Sequence, residues 1–261
     1  MLEEVAMQLS QKRIEQYLLP KFPGKVIVKQ QVDSTQRIAK IMNNSSQPVA
    51  VLAESQTAGY GKQQRTFYSP RDSGLYLSVL IPGVAKAELK AAGLFTTGLA
   101  IAVTKVLEKN FPTKQLMVKW VNDIMLNHKK VAGILVEAVL EGQTVNWIVG
   151  IGINLSTTNF PLALQKKAGS IDQNQLVERN RLAAEIIEAV WQTRFSYQRR
   201  TFIHEYQQRL ILLNRSVDLQ LASRTITGVV RGINDEGELI IQQSNGRIKA
   251  ISAGEVSKVN Y

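Results

Sequence analysis

Residues 116–154 read LMVKWVNDIMLNHKKVAGILVEAVLEGQTVNWIVGIGIN. Apolar stretches alternate here with short polar breaks. Leu116–Leu126 and Lys130–Val139 have the composition of strands, and Asn127-His128-Lys129 between them is a turn. Glu141-Gly142 marks a second turn, after which Thr144–Asn154 is a third strand. Strands that follow one another through tight turns make antiparallel neighbours. A doubly wound nucleotide fold would need helices between them. The stretch therefore predicts an α+β fold built on a mixed or antiparallel sheet.

The flanking sequence extends this picture. Val5–Leu19 has helix-like apolar spacing and is stopped by Pro20 and by Pro23-Gly24. Lys25–Val32 reads as a strand, and Asp33-Ser34-Thr35 is a natural helix start leading into Gln36–Met42. Val49–Glu54 and Gly74–Ile81 read as strands, separated by the long polar loop Ser55–Ser73. A loop of that length inside a compact domain points to function. Ala85–Asn110 and Leu176–Leu213 have helical patterns, the second with breaks. From Ser216 the pattern changes to about five short strands divided by Ser223-Arg224, Asn234-Asp235-Glu236-Gly237 and Asn245-Gly246, which predicts a small β-barrel-like domain. Residues 1–213 and 214–261 are thus expected to form two domains.

Composition narrows the chemistry. The 261 residues contain no cysteine and two histidines, which removes disulfides, thiolate metal sites and cysteine nucleophiles and leaves no histidine-rich metal site. Hydrophobic residues make up 44% and charged residues 20%, an ordinary globular composition. No apolar run approaches the ~18 residues of a membrane span, and the acidic start lacks a secretory signal. A cytoplasmic location is the expectation. The net charge of +11 suits nucleic acid, anionic substrates or an acidic partner, and equally a solvated basic surface.

Four constellations could carry chemistry. In the loop beginning at Glu54, Gly59 and Gly61 open backbone N–H groups, and Lys62 and Arg65 add positive charge, a combination that suits a phosphate. It is neither a Walker loop nor a dinucleotide fingerprint, and alone it would pass for a surface loop. Lys119-Trp120-Val121-Asn122-Asp123 places poor strand formers in a strand, with Lys119, Val121 and Asp123 on one face. Lys130 sits at the mouth of an apolar strand, where it can hold a carboxylate or phosphoryl group, and Gly133 leaves room for a ligand. Gly150-Ile151-Gly152-Ile153-Asn154 clears one strand face and ends on a polar group. Asp33-Ser34-Thr35 by itself is a helix cap.

Taken in order, these pieces resemble the catalytic region of biotin protein ligases. The matching segments are Asp33-Ser34-Thr35-Gln36, Gly59-Tyr60-Gly61-Lys62, Lys119-Trp120-Val121-Asn122-Asp123, Lys130 to Glu137 and Gly150 to Asn154. Phe67-Tyr68-Ser69-Pro70, Gly74-Leu75-Tyr76-Leu77-Ser78 and the tail from Ser216 also look like the family. The resemblance implies a class II synthetase-like catalytic fold with an SH3-like C-terminal barrel. It implies two half-reactions, in which biotin and ATP with Mg²⁺ give biotinyl-5′-AMP and a lysine amine then takes the biotinyl group. By carry-over, Ser34, Thr35, Gln36, Gln56 and Gly133 would bind biotin. Gly59, Tyr60, Gly61, Lys62, Arg65, Lys119, Trp120, Asn122 and Asn154 would bind ATP or the adenylate. Lys130 would neutralise the crowded carboxylate and α-phosphate. Asp123 would act near the phosphates or metal, or orient the incoming amine. No fixed protein metal site is implied; Mg²⁺ would come with ATP.

The chain departs from the family at Tyr60 and Lys62, where arginines are usual, at Gln64 in place of a glycine, and at Gln36 and Val121. Arginine binds phosphate through a planar fork and lysine does not, so a weakened biotin-binding paralogue is one alternative. A lipoate or octanoate ligase or transferase is another, although its cargo has no ureido head to match a Ser34-Thr35-Gln56 cluster. The expected partner is a biotin carboxyl carrier domain of acetyl-CoA carboxylase or of another biotin-dependent enzyme. Little chain precedes the first catalytic strand, so the N-terminal helix-turn-helix of repressor-type members and specific DNA binding are not expected, nor is a membrane. A homodimer is compatible with the sequence.

Overall fold

A computed structural model describes residues 8–18, 22–141, 144–174, 177–221 and 224–260. Seven strands make the main sheet: β1 (Lys25–Val32), β2 (Val49–Gln56), β3 (Gly74–Ala85), β4 (Met117–Lys119), β5 (Asp123–Leu126), β6 (Lys129–Glu141) and β7 (Thr144–Asn154), in the order β1-β2-β3-β7-β6-β5-β4. β1 and β2 pair in parallel and every other neighbouring pair is antiparallel, the mixed sheet predicted from the hairpin spacing.

One prediction fails inside the deciding stretch. Leu116–Leu126 is not one strand. β4 and β5 fold back on each other, with Met117 opposite Met125 and Lys119 opposite Asp123. Asn122 explains the reversal. Its backbone C=O accepts from the Ile134 N–H at 3.0 Å, and its side-chain amide donates to the Ile134 C=O at 2.6 Å. Asn122 thus gives its main-chain and side-chain groups to β6 instead of continuing β4. Lys119 and Asp123 still lie side by side, as cross-strand partners rather than as alternate residues of one strand. The next turn is tighter than expected: Leu126 pairs with Lys129, and Asn127 and His128 alone bridge them, both at positive φ. Two left-handed residues are what a two-residue hairpin loop requires. Gly142 of the third turn lies outside the described residues.

The helices pack as their apolar spacing dictates. α1 (Gln11–Leu18) buries Ile14 and Leu18, four residues apart, and the remainder of the predicted first helix up to residue 7 lies outside the described residues. α2 (Thr35–Ile41) starts at Ser34, whose hydroxyl accepts from the Gln36 N–H. It covers one face of the sheet through Ala39, against Val49, Val51, Leu80 and Ile148. α3 (Ala92–Asn110) and α5 (Arg179–Ser196) cover the other face, where Phe95 stacks on Trp147 with ring centroids 4.3 Å apart. A 3₁₀ turn, Lys86–Ala91, precedes α3, and together they make one helix apolar and long enough to cross a membrane, contrary to the reading of the sequence. Its window is 61% buried within the fold, which accounts for its apolarity as that of a core helix. α4 (Leu162–Gln165) is a single turn. α6 (Ile203–Arg209) follows a break after α5, and Leu176 of the predicted long helix lies outside the described residues.

A buried ion pair ties these helices to the sheet. Arg179 at the start of α5 meets Glu54 of β2 at 2.8 Å, and the other Glu54 oxygen accepts from the Leu9 N–H. Both side chains are almost wholly buried.

From Ser216 the chain forms a five-stranded antiparallel sheet: β8 (Ser216–Leu221), β9 (Arg224–Ile233), β10 (Leu239–Gln242), β11 (Ile248–Ile251) and β12 (Glu255–Asn260), in the order β11-β10-β9-β8-β12. Two of the predicted turns end on left-handed glycines, Gly237 and Gly246; Ser223 of the third lies outside the described residues. The two sheets meet where the Trp120 indole N–H donates to the Gly237 C=O at 2.9 Å.

Candidate active site

A cleft lies over the carboxyl-terminal half of β7 and the facing half of β6, roofed by the loop after β2. The space between its walls, counting the part open to solvent, is about 1000 Å³. Its floor is made of glycines because side chains from elsewhere need the space. A Cβ at Gly150 would stand 2.5 Å from Gln36 Oε1, one at Gly152 2.5 Å from the Phe67 ring, and one at Gly133 2.7 Å from the Lys130 Nζ.

Fourteen of the sixteen residues named from the sequence line this cleft: Ser34, Thr35, Gln36, Gln56, Tyr60, Gly61, Lys62, Arg65, Lys119, Trp120, Asn122, Asp123, Lys130 and Gly133. Gly59 and Asn154 do not. Gly59 is packed inside the roof loop, where a Cβ would stand 2.7 Å from Gln56 Nε2. Asn154 is buried at the end of β7, where its amide donates to the Gly169 C=O at 3.1 Å.

One end of the cleft is neutral and polar. Gln56 Oε1 accepts from both the backbone N–H and the hydroxyl of Thr35, at 2.9 and 3.2 Å. The Thr35 and Ser78 hydroxyls are 2.9 Å apart, and Ser78 donates to Gln36 Oε1 at 2.8 Å. Gln56 is steadied in turn by its bond to Ser69. Donors and acceptors alternate through this chain, so its orientation is set before any ligand arrives. Ser78 was not named as a site residue from the sequence, although it closes the family-like segment Gly74–Ser78.

The other end is charged. Lys130 Nζ lies 2.6 Å from Asp123 Oδ1 and 6.0 Å from the centre of the Phe67 ring. A β-bulge brings these groups together. Ile124 pairs with Ala132 but Met125 pairs with Lys130, so Val131 is an extra residue in β6. In a regular strand Lys130 and Gly133 would face opposite sides. The bulge turns Lys130 onto the face of Gly133, whose cross-strand partner is Asp123. The room above Gly133, expected for a ligand, is thus where the Lys130 ammonium rests. Lys119 lines the same end, and its ammonium makes no hydrogen bond or ion pair to a described residue.

The roof loop is held where the sequence departs from the family pattern. The Tyr60 hydroxyl donates to Glu137 at 3.0 Å and accepts from Lys40 at 3.0 Å, while Lys40 also binds Glu137 at 2.7 Å. Gln36 donates to the same carboxylate at 2.9 Å. Burial works against the charge on Lys40, but its bonds to Glu137 and Tyr60 prevail and raise its pKa. Burial likewise raises that of Tyr60, opposed by Lys40 and reinforced by Glu137. Neither Lys40 nor Glu137 stood out as a site residue in the sequence, because the contact spans three separate elements. Further along the loop, Gln63 and Gln64 are both left-handed, and Lys62 reaches the Gly254 C=O of the second sheet at 3.3 Å.

A family model described as the biotin/lipoate A/B protein ligase family matches residues 28–154, and the model of the biotin protein ligase C-terminal domain matches residues 212–259. The bifunctional ligase/repressor BirA of Escherichia coli is 30% identical over 252 residues, spanning 90% of this chain and 74% of that protein. The biotin–[acetyl-CoA-carboxylase] ligase of Paracoccus denitrificans is 30% identical over 239 residues, spanning 86% of this chain and 96% of that one. Among solved structures, the biotin protein ligase of Aquifex aeolicus in complex with biotin and ATP superposes with a TM-score of 0.78 at 28% identity, over 90% of this chain and 98% of its own. Motif order, sheet topology and whole-chain similarity agree, and the chain belongs to the biotin protein ligase family.

Proposed function

We propose that this protein uses ATP to attach biotin to a lysine of an acceptor protein. The observation that carries the reading is one cleft with a pre-oriented neutral polar cluster at one end and the Lys130–Asp123 pair at the other. The Thr35–Gln56–Ser78 cluster suits a ureido head, whose buried donors and acceptors each need a partner. Lys130 then stands where a carboxylate and an α-phosphate would crowd their negative charge, and a fixed cation there acts on the transition state. In the first half-reaction a biotin carboxylate oxygen bonds to the α-phosphorus as the bond to pyrophosphate breaks. In the second, the acceptor amine bonds to the acyl carbon, loses a proton, and AMP leaves. Lys119, Lys62 and Arg65 supply positive charge for the phosphates, Trp120 and Asn122 wall the nucleotide end, and the roof from Gly59 to Arg65 keeps water from the mixed anhydride.

The residues fit Mg²⁺ only as part of an ATP complex. Among the described residues no cluster of three metal-ligating side chains exists, and Asp123 is the one carboxylate lining the cleft. Mg²⁺ commonly binds through substrate phosphates and one or two carboxylates, and with ATP it would offset phosphate charge. The acceptor in this reading is a biotin carboxyl carrier domain of acetyl-CoA carboxylase or another biotin-dependent enzyme. The net charge of +11 favours an acidic partner. The reading takes residues 1–213 as the catalytic domain and residues 214–261 as its companion, in a cytoplasmic enzyme without sequence-specific DNA binding, and it is compatible with a homodimer.

The test incubates the protein with ATP, Mg²⁺, a carrier domain, and either biotin or lipoate, and reads the carrier by mass spectrometry. A biotinyl adduct on one lysine is expected. A lipoyl adduct without a biotinyl one would sink the biotin assignment, and no adduct together with intact biotin binding would leave a biotin-binding protein without ligase activity.

A further inference from the structure

Lys130 stands at an irregular place in the sheet. Its pairing with β7 has already ended, since the last β6–β7 partners on that side are Ala132 and Ile153. On its other side the pairing resumes past the bulge at Val131, with Lys130 opposite Met125 of β5, so only the edge toward β7 is left open. Main-chain groups so placed need other partners. A distant segment supplies them. The Lys130 N–H donates to the Lys167 C=O at 2.8 Å, and the Gly169 N–H donates to the Lys130 C=O at 2.9 Å, in a parallel bridge centred on Ala168.

That segment is itself tied down. Lys167 and Ala168 donate to the Leu164 C=O at the end of α4. The Asn154 amide donates to the Gly169 C=O at 3.1 Å, and the Ile171 N–H returns to the Asn154 C=O at 3.0 Å. Beyond it Asp172 pairs with Lys114 at 2.7 Å. The fit against β6 is close, for a Cβ at Gly169 would stand 2.9 Å from Lys129 Cβ.

We propose that residues 167–169 form a strap that positions Lys130, and that Asn154 is its anchor, a positioning residue that acts through Gly169. The proposal rests on the reading of Lys130 as the cation at the reacting carboxylate and phosphate. The strap replaces β7 as the edge partner of β6 and fixes the backbone from which the Lys130 side chain reaches over Gly133 to Asp123. Nothing in it touches the Thr35–Gln56 cluster, so it governs the charged end of the cleft alone.

A double-mutant cycle tests this, measuring pyrophosphate release with ATP, Mg²⁺ and biotin for Gly169→Ala, Lys130→Ala and the two combined. Gly169→Ala forces the strap away from Lys129, and a displaced charge is expected to lower kcat roughly 10- to 100-fold. Biotin Kd, read by calorimetry, is expected to stay within about twofold, and the loss from Gly169→Ala in the Lys130→Ala background to fall below about twofold, because coupled residues are non-additive. A purely structural role would give additive losses and weakened biotin binding, and either result would overturn the proposal, as would a wild-type kcat for Gly169→Ala. Should that variant fail to fold, Asn154→Ala removes the anchor without adding a clash. The same non-additivity with Lys130→Ala is expected, and full additivity would remove Asn154 from the strap. Lys130→Ala with wild-type kcat would refute the reading of Lys130 itself and the strap's role with it.

Discussion

The Lys130 ammonium and the Asp123 carboxylate are held 2.6 Å apart across two strands, both about a third or less exposed. Such a pair keeps the lysine aimed while the site waits for substrate. Lys130→Ala is expected to lower adenylate formation by roughly 10²- to 10³-fold, the usual cost of removing a fixed electrostatic partner of the transition state. Biotin binding should change little, because the neutral cluster stays intact. Pyrophosphate release and calorimetric binding, measured side by side, check both halves.

The Tyr60 hydroxyl fastens the roof loop to Glu137 and Lys40. Tyr60→Phe removes that fastening and leaves the Lys40–Glu137 pair. Lys62 and Arg65 are exposed nearby, so trypsin can report on opening. Cleavage after these residues is expected to accelerate severalfold in the ligand-free variant, with faster leakage of the acyl-adenylate to water. Unchanged proteolysis would show that the hydroxyl does not hold the loop.

Gln64 stands at φ 60, beside Gln63 at φ 56. Left-handed backbone costs a side-chain-bearing residue about 1–2 kcal/mol, and β-branched residues suffer most. Gln64→Gly is therefore expected to be stability-neutral to within about 1 kcal/mol, and Gln64→Val to lower the melting temperature measurably. Equal melting temperatures for the two variants would count against a left-handed residue at this position.

Glu54 and Arg179 form a buried pair at 2.8 Å, supported by the Leu9 N–H. Removing one partner strands the other charge away from water. Arg179→Ala should destabilise the fold by about 3–5 kcal/mol, whereas exposed pairs such as Arg37–Asp33 contribute about 0–1 kcal/mol. Urea unfolding of the two single variants, Arg179→Ala and Arg37→Ala, makes the comparison.

Burial raises the pKa of Tyr76 to about 12 from an ordinary 10.0. Its hydroxyl donates to the Pro70 C=O at 2.9 Å. A group whose pKa is higher in the folded state leaves stability unaffected below its unfolded value. Stability is then lost as pH rises through the folded value. Unfolding free energy should accordingly fall between pH 10.0 and about 12, and Tyr76→Phe should fall less steeply over that window. Urea titrations at several alkaline pH values would reveal the difference in slope.

The amino-acid order alone determined the parts of this protein whose physics is local. Apolar runs bounded by turn residues marked β1, β2, β3, β6 and β7. The Ser34 cap started α2, and Asn-Gly and Asp-Glu-Gly turns divided the C-terminal strands. The cleft-lining segments were legible for the same reason, since each is a short motif with its own residue types. Tertiary structure decided what depends on contacts between distant segments. It folded Leu116–Leu126 into two strands because Asn122 bonds to Ile134, and it set the Lys130 ammonium over Gly133 through a one-residue bulge. It joined Lys40, Tyr60 and Glu137 into one clasp and brought residues 167–169 beside Lys130. None of these has a periodicity or spacing to betray it, because each exists only once separate elements have packed.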